Sequence, residues 1–301
     1  MVSTVLCAAL TLVSMSQSSL STAVENTVAQ TLKQYESSGL KPDELCVSAI
    51  RLDRSQAKQA IAHVNGDKNM YPASVVKLFY AAFLAKELAS GKIKRTDELD
   101  RAVKDMLVES SNDATGLVLD VITGTTGGPE LPPKALAAWM KKRQVVNEWL
   151  KGRGYQNVNA CQKTWNEGPY GREKQGYGPN MELRNSLSAN ATTQIMAELM
   201  LRQIAGEKAS SFIQGFMTRV TQENGDDIGN QTKGFLGQAL PPTWLRVSKA
   251  GWAYQVRHDV IYFKTEKGSE YVVTVFTDHH GNDATLLPSV MQLFLKNIGE
   301  R

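Results

Sequence analysis

Three places along this chain carry residue types that could make and break an acyl bond. A serine and a lysine three apart share one face of a helix, so the amine can take the hydroxyl proton and leave a nucleophile. Ser-x-x-Lys occurs at Ser38/Lys41, Ser55/Lys58 and Ser74/Lys77. Ser38 precedes the helix breakers Gly39 and Pro42, and Ser55 lies in a charged turn. Ser74 instead follows Pro72 and opens the apolar run Val75, Val76, Leu78, Phe79, Ala82 and Phe83. That context puts its hydroxyl at a helix N-terminus, where the dipole favours a developing oxyanion, and gives Lys77 a reason to shed its proton. Ser110-Ser111-Asn112 falls at a break between two helical patterns, which fixes a hydroxyl and an amide at the edge of a cleft. Lys249-Ala250-Gly251 ends a late strand, where Gly251 would let a substrate lie against the backbone. Both triplets have second copies, Ser188-Ala189-Asn190 and Lys174-Gln175-Gly176, so order and element single out the first ones.

The elements that must position these groups follow from periodicity. Val24, Val28, Leu32 and Tyr35 make one apolar helical face ending at Gly39. Leu45–Leu52 and Gln59–Val64 read as a hairpin closed by Asn65-Gly66. Helical patterns then cover Ser74–Ser90, Asp97–Val108, Asn112–Ile122 and Pro133–Leu150, and resume at Ser188–Ile204 and Ser210–Thr221. Between them Lys151–Asn185 is rich in Gly, Asn, Pro and Tyr without an apolar period, longer than loops of a compact domain normally run. Leu245–Lys249, Asp259–Lys264 and Tyr271–Thr277 read as strands before a closing helix from Leu287. The order predicts an α+β domain over 23–301: one antiparallel sheet made by both chain ends, with a helical block of about 74–240 inserted.

Composition excludes several classes. The 301 residues are 42% hydrophobic and 21% charged with a net charge of +4, which fits an ordinary globular chain, gives no support to nucleic-acid binding and rules out a fibrous or disordered one. Met1–Val13 is nearly uncharged and apolar, and with the Ser-rich stretch that follows it resembles a secretory leader over 1–22, too short to span a bilayer. Export to the periplasm or medium is therefore expected, with no stable membrane insertion. Cys7, Cys46 and Cys161 lack metal or disulfide-framework spacing, and the last two read as buried free thiols. No metal is expected from the four histidines, and no phosphate-cradling loop implies a cofactor.

In order, Ser-x-x-Lys on a helix, Ser-x-Asn and Lys-x-Gly on a strand resemble the penicilloyl serine hydrolases, most closely the class A β-lactamase-like group. The resemblance runs from the opening helix to the closing one and includes Tyr71-Pro72-Ala73-Ser74-Val75-Val76-Lys77 and Ser110–Leu119. It implies that Ser74 is acylated, that Lys77 takes its proton directly or through water, and that Ser110 relays the proton to the leaving nitrogen. It further implies that Asn112 holds a substrate amide, that Lys249 supplies charge to the substrate carboxylate, and that the N–H groups of Ser74 and Trp252 form the oxyanion hole.

The chain departs from the family at three points. Ala250 stands where a Ser or Thr hydroxyl usually helps hold the carboxylate, a role expected of Arg257 here. The Glu-x-x-x-Asn spacing of the deacylating base is missing; of Glu167, Glu173 and Glu182, Glu167 is the candidate and the other two read as solvated loop carboxylates. The stretch from Ser74 to Ser110 is short for the group, which suits an open cleft. The expected activity is hydrolysis of small-molecule β-lactams through Ser74. A D-Ala-D-Ala peptidase acting on cell-wall peptides, releasing its acyl group slowly, is the alternative, and a non-catalytic member of the fold the third. Oligomeric state is not legible in the chain.

Overall fold

The computed structural model describes residues 17–219 and 231–300. The main sheet has strands β1 Leu45–Arg51, β2 Ala62–Val64, β6 Leu245–Ala253, β7 Val256–Lys264 and β8 Glu270–Thr277, all antiparallel in the order β2-β1-β8-β7-β6. Helices α1 Gln17–Gln34 and α10 Leu286–Asn297 cover one face and α8 Ala189–Met200 covers the other. Because both faces are covered, the central strands lack polar alternation, and the period of two sorts apolar residues between two cores. Leu45, Val47 and Ala49 pack with α1 and α10, while Cys46 and Ile50 pack on the helical side. Ile261, Phe263, Val273 and Val275 likewise face α1 and α10, and Val260, Tyr262, Val272 and Phe276 face the helical block.

The inserted block holds α2 Val76–Ala89, α3 Asp97–Leu107, α4 Asn112–Thr123, α5 Pro133–Arg143, α6 Val145–Gly152, α8 and α9 Gly206–Met217. Nearly every residue of α2 is buried, Lys77 included, so it is the block's central rod, with α3, α4, α6, α8 and α9 packed around it. Two short strands, β3 Asn69–Met70 and β4 Val158–Asn159, flank β5 Ser186–Ser188 in a second sheet. The stretch expected as one long loop contains β4 and the short helix α7 Gly171–Gly176. Its organiser is Asn185, whose buried Oδ1 accepts from the Cys161 and Gln162 amides at 3.1 and 2.9 Å and whose Nδ2 donates to Gln162 O at 2.9 Å.

Several boundaries differ from the sequence expectation for identifiable reasons. The helix expected from Pro133 to Leu150 divides at Gln144, which turns Arg143 inward to Asp120 and Glu173 while Val146 and Leu150 keep their core contacts. The last helix of the block begins at Gly206 and ends at Met217, where Thr218 turns extended and bridges Val247; residues 220 and 221 of the expected helix lie outside the described residues. The packed domain also reaches ahead of residue 23: α1 is already helical at Gln17 and Leu20 is buried, so the expected leader overlaps the first helix over 17–22, and its residues 1–16 lie outside the described residues. Cys46 and Cys161 are buried free thiols.

Candidate active site

Ser74 sits in a single 3-10 turn, Ala73–Val75, that feeds α2. Ala73 takes a left-handed φ of 45° and Ser110 one of 57°, a conformation that costs a residue with a Cβ and is held only where the surroundings insist on it. The surroundings are visible for the first. The carbonyl of Tyr71 accepts from buried His258 Nε2 at 2.9 Å, and His258 Nδ1 accepts from Thr277 N at 3.1 Å, which ties the turn to β7 and β8. Burial lowers the His258 pKa to about 4, so the ring is neutral and the carbonyl fixes the tautomer, with the proton on Nε2. A Cβ on Gly251 would stand 2.7 Å from Pro72 O and 3.0 Å from Val75 N. Gly251 is thus buried and lets β6 close on the nucleophile turn, while its neighbours Ala250 and Trp252 line the cleft.

A cleft of about 690 Å³ is lined by Ser74, Ser110 and Asn112 on the helical side and by Ala250, Trp252 and Arg257 on the sheet side. Lys77 Nζ, fully buried behind it, donates to the backbone carbonyl of Ser110, to Ser110 Oγ at 3.2 Å and to Asn112 Oδ1 at 2.9 Å. Burial pulls its pKa down to about 7. Lys249 Nζ, also fully buried, reaches the other side of Ser110 Oγ at 3.0 Å, and its pKa is pushed well below the usual lysine value, first by burial and then by the charge of Lys77. Ser110 Oγ is therefore bracketed by two amines. The Ser74 hydroxyl carries no side-chain hydrogen bond among the described residues, so it is uncommitted at the cleft wall.

β6 is the edge of the sheet, and its register with β7 runs without a bulge from Leu245 to Ala253. Its even-numbered residues turn their backbone groups outward. Arg246 O accepts from Arg219 N at 3.0 Å, Ser248 O from Arg219 Nη2 at 2.9 Å, and Ala250 N donates to Gln231 Oε1 at 3.3 Å. The same parity turns the Trp252 N–H away from β7, on the open edge of the sheet, and Trp252 lines the cleft. The Trp252 indole donates to Gly281 O at 2.8 Å, and the ring is 58% exposed. Arg257 donates to Gly281 O at 3.1 Å and Gly234 O at 3.3 Å and lies against the Phe235 ring. Arg257 and Lys233 are the cationic residues that line the cleft among the described residues.

The loop wall departs from expectation. Asn112 Nδ2 donates to Trp165 O at 3.1 Å and to Asn166 Oδ1 at 2.9 Å, which fixes the loop so that Asn166 lines the cleft. Glu167, one residue on, is exposed and accepts from Tyr170 OH at 3.0 Å; the structure does not bring it to the other site residues. Among the described residues lining the cleft there is no carboxylate. Glu173, expected as a solvated loop carboxylate, is buried instead: it is 2% exposed and pairs with Arg143 Nη2 at 2.5 Å. Glu182 is exposed and caps the Asn180 amide. The second triplet copies stand elsewhere: Ser188 caps α8, Asn190 bonds Ser48 and Asp67, and Lys174–Gly176 belongs to α7. Sequence reasoning missed Asn166 and Gln231. The first neighbours the residue chosen for its carboxylate, and the second carries no spacing signal at all.

Solved structures of several β-lactamases share this architecture. A β-lactamase from Chitinophaga pinensis superimposes with a TM-score of 0.65 at 14% identity, over 92% of this chain and 100% of that one. A β-lactamase from Sphaerobacter thermophilus gives 0.65 at 18% identity, over 91% and 98%. A mutant of PBP-A solved as an acyl-enzyme complex with penicillin G gives 0.64 at 16% identity, over 92% and 98%. At such identities the likeness is one of fold. No curated protein matches the chain. Residues 98–289, well over half the chain, match the family described as beta-lactamase enzyme family, and the chain belongs to that family as a β-lactamase-like serine hydrolase.

Proposed function

We propose that this hydrolase opens β-lactams by acylation of Ser74, and that release of the acyl group is its slow step. The observation that carries the reading is Ser110 Oγ held between two buried amines on the wall of the cleft that Ser74 lines. An ammonium at Lys77 satisfies three acceptors with three N–H groups. A neutral amine has two N–H groups and a lone pair, so loss of one proton frees that lone pair to take the proton of Ser74. With a pKa of about 7, Lys77 spends part of its time in that form at neutral pH. Ser74 Oγ then bonds the lactam carbonyl carbon, and the oxyanion sits between the N–H groups of Ser74 and Trp252. Ser110 gives its proton to the lactam nitrogen as the C–N bond breaks and is reprotonated by the neighbouring ammonium. Asn112 is spent on Lys77 and the loop, which supports a positioning role for it rather than the substrate contact first expected. Arg257 and Lys249 offer charge to the substrate carboxylate.

Hydrolysis of the resulting ester needs water and a group to take its proton. The loop offers the Asn166 amide, which has no proton-accepting capacity at neutral pH. That supports a long-lived acyl-enzyme, and it is the observation that favours the second reading, a peptidase of cell-wall peptides on the same residues. Either reading belongs with an exported protein. Intact-protein mass spectrometry after mixing with excess benzylpenicillin tests both, with Ser74→Ala as control. An adduct that decays as penicillin is consumed supports the β-lactamase, and one that persists supports the peptidase. An adduct on neither protein, or on both, removes Ser74 from the chemistry.

A further inference from the structure

Gln231 is 4% exposed and faces the cleft at the junction of the two halves of the site. Its Nε2 donates to Leu107 O at 2.9 Å and to Val108 O at 2.8 Å, at the end of α3 and just ahead of Ser110. Carbonyls only accept, so the amide cannot be turned over, and its oxygen must face β6. There Oε1 accepts from Lys249 Nζ at 2.5 Å and from Ala250 N at 3.3 Å. Three oxygens surround Lys249 Nζ and would take all three N–H groups of its protonated form: Gln231 Oε1, Ala250 O at 2.7 Å and Ser110 Oγ at 3.0 Å. Among the described residues no carboxylate forms an ion pair with Lys249. The charged and titratable groups around it are Lys77 from α2, Arg219 after α9 and Asp259 from β7, and Asp259 Oδ2 is engaged by Leu236 N at 3.0 Å. Gln231 is thus anchored at one end to the chain that carries Ser110 and at the other to the strand that carries Lys249. It also occupies the neighbourhood of Ala250, where a hydroxyl is lacking.

We propose that Gln231 is a positioning residue that holds Lys249 Nζ on Ser110 Oγ and so governs how fast a carboxylate-bearing β-lactam acylates the enzyme. The kinetic half rests on the Ser74 reading above; the Lys249 contact does not. The test uses the full chain labelled with 15N-lysine, with the Lys249 ammonium signal assigned by its loss in Lys249→Met. In Gln231→Met the ammonium protons exchange with water about 10-fold faster or more, as expected when a charged group loses a buried acceptor. Acylation by benzylpenicillin falls about 10–100-fold in Gln231→Met, and acylation by the neutral ester p-nitrophenyl acetate falls by less than about 3-fold. A merely structural role would lower both rates together. An unchanged Lys249 signal in Gln231→Met, or equal losses with the two substrates, overturns the proposal. Failure of the parent protein to be acylated, or acylation of Ser74→Ala, overturns the function instead and leaves the Lys249 signal to decide for Gln231. If Gln231→Met does not fold, the parent protein decides: Lys249 ammonium protons that exchange as fast as those of an exposed lysine overturn the proposal.

Discussion

The two walls of the cleft are built on different principles. On one wall α2, the Ser110 turn and β6 present hydroxyls and amines from regular elements, and the geometry is set by packing that would tolerate little movement, such as β6 against Pro72 through Gly251. The facing wall is irregular chain held by polar bonds. Asn185 organises its base, Asn112 pins Trp165 and Asn166, and Arg143 and Lys163 bind Asp120 and Glu173 beneath it. The first wall suits forming the acyl bond, which needs a nucleophile, a base and a proton donor in fixed relation. The second presents, among the described residues, an amide and no carboxylate to the cleft, which is the ground for the slow release proposed above.

That contrast can be attacked from either side. Lys77→Met should lower the rate of Ser74 acylation by about 10²–10⁴-fold, the usual worth of a general base. In the parent protein the same rate should rise as pH increases through about 7, because burial holds the Lys77 pKa there and the neutral amine is the active form; stopped-flow acylation between pH 5 and 9 reads this, and the limb vanishes in Lys77→Met. Arg143→Met leaves Glu173 buried with only Lys163, and denaturant unfolding should show a loss of about 3–5 kcal/mol. Asn166→Glu places a carboxylate beside Asn112 Nδ2, and the mass-detected acyl-enzyme should then decay about 10²-fold faster, while acylation changes much less. Glu167→Gln should leave both steps within about 2-fold, as an exposed substitution away from the site usually does.

The same division separates what the chain spelled out from what it did not. Ser74, Lys77, Ser110 and Lys249 could be placed because each stands at a countable position on a helix, a helix break or a strand, and the sheet and helical block follow from periods of 2 and 3.6. The division of the Pro133–Leu150 helix was hidden because it answers to distant partners of Arg143, on α4 and α7. Loop residues have no period, so the chemistry of Glu167 outweighed that of its neighbour, and only the bond from Asn112 decides which of the two turns inward. Gln231 acts between elements far apart in the chain, at Leu107 and Lys249, and such a bridge leaves no mark in local spacing.

The open side of β6 carries a further consequence. A row of unpaired amides and carbonyls at a sheet edge is a template on which a strand from another molecule can grow, the first step of many aggregates. Here Arg219 occupies Arg246 and Ser248 and Gln231 occupies Ala250. Among the described residues that leaves the last stretch before the turn at Tyr254 and Gln255 uncovered, with Trp252 its outward-facing position. One amide can grip a single carbonyl, yet it is too short a template for a second chain to pair with.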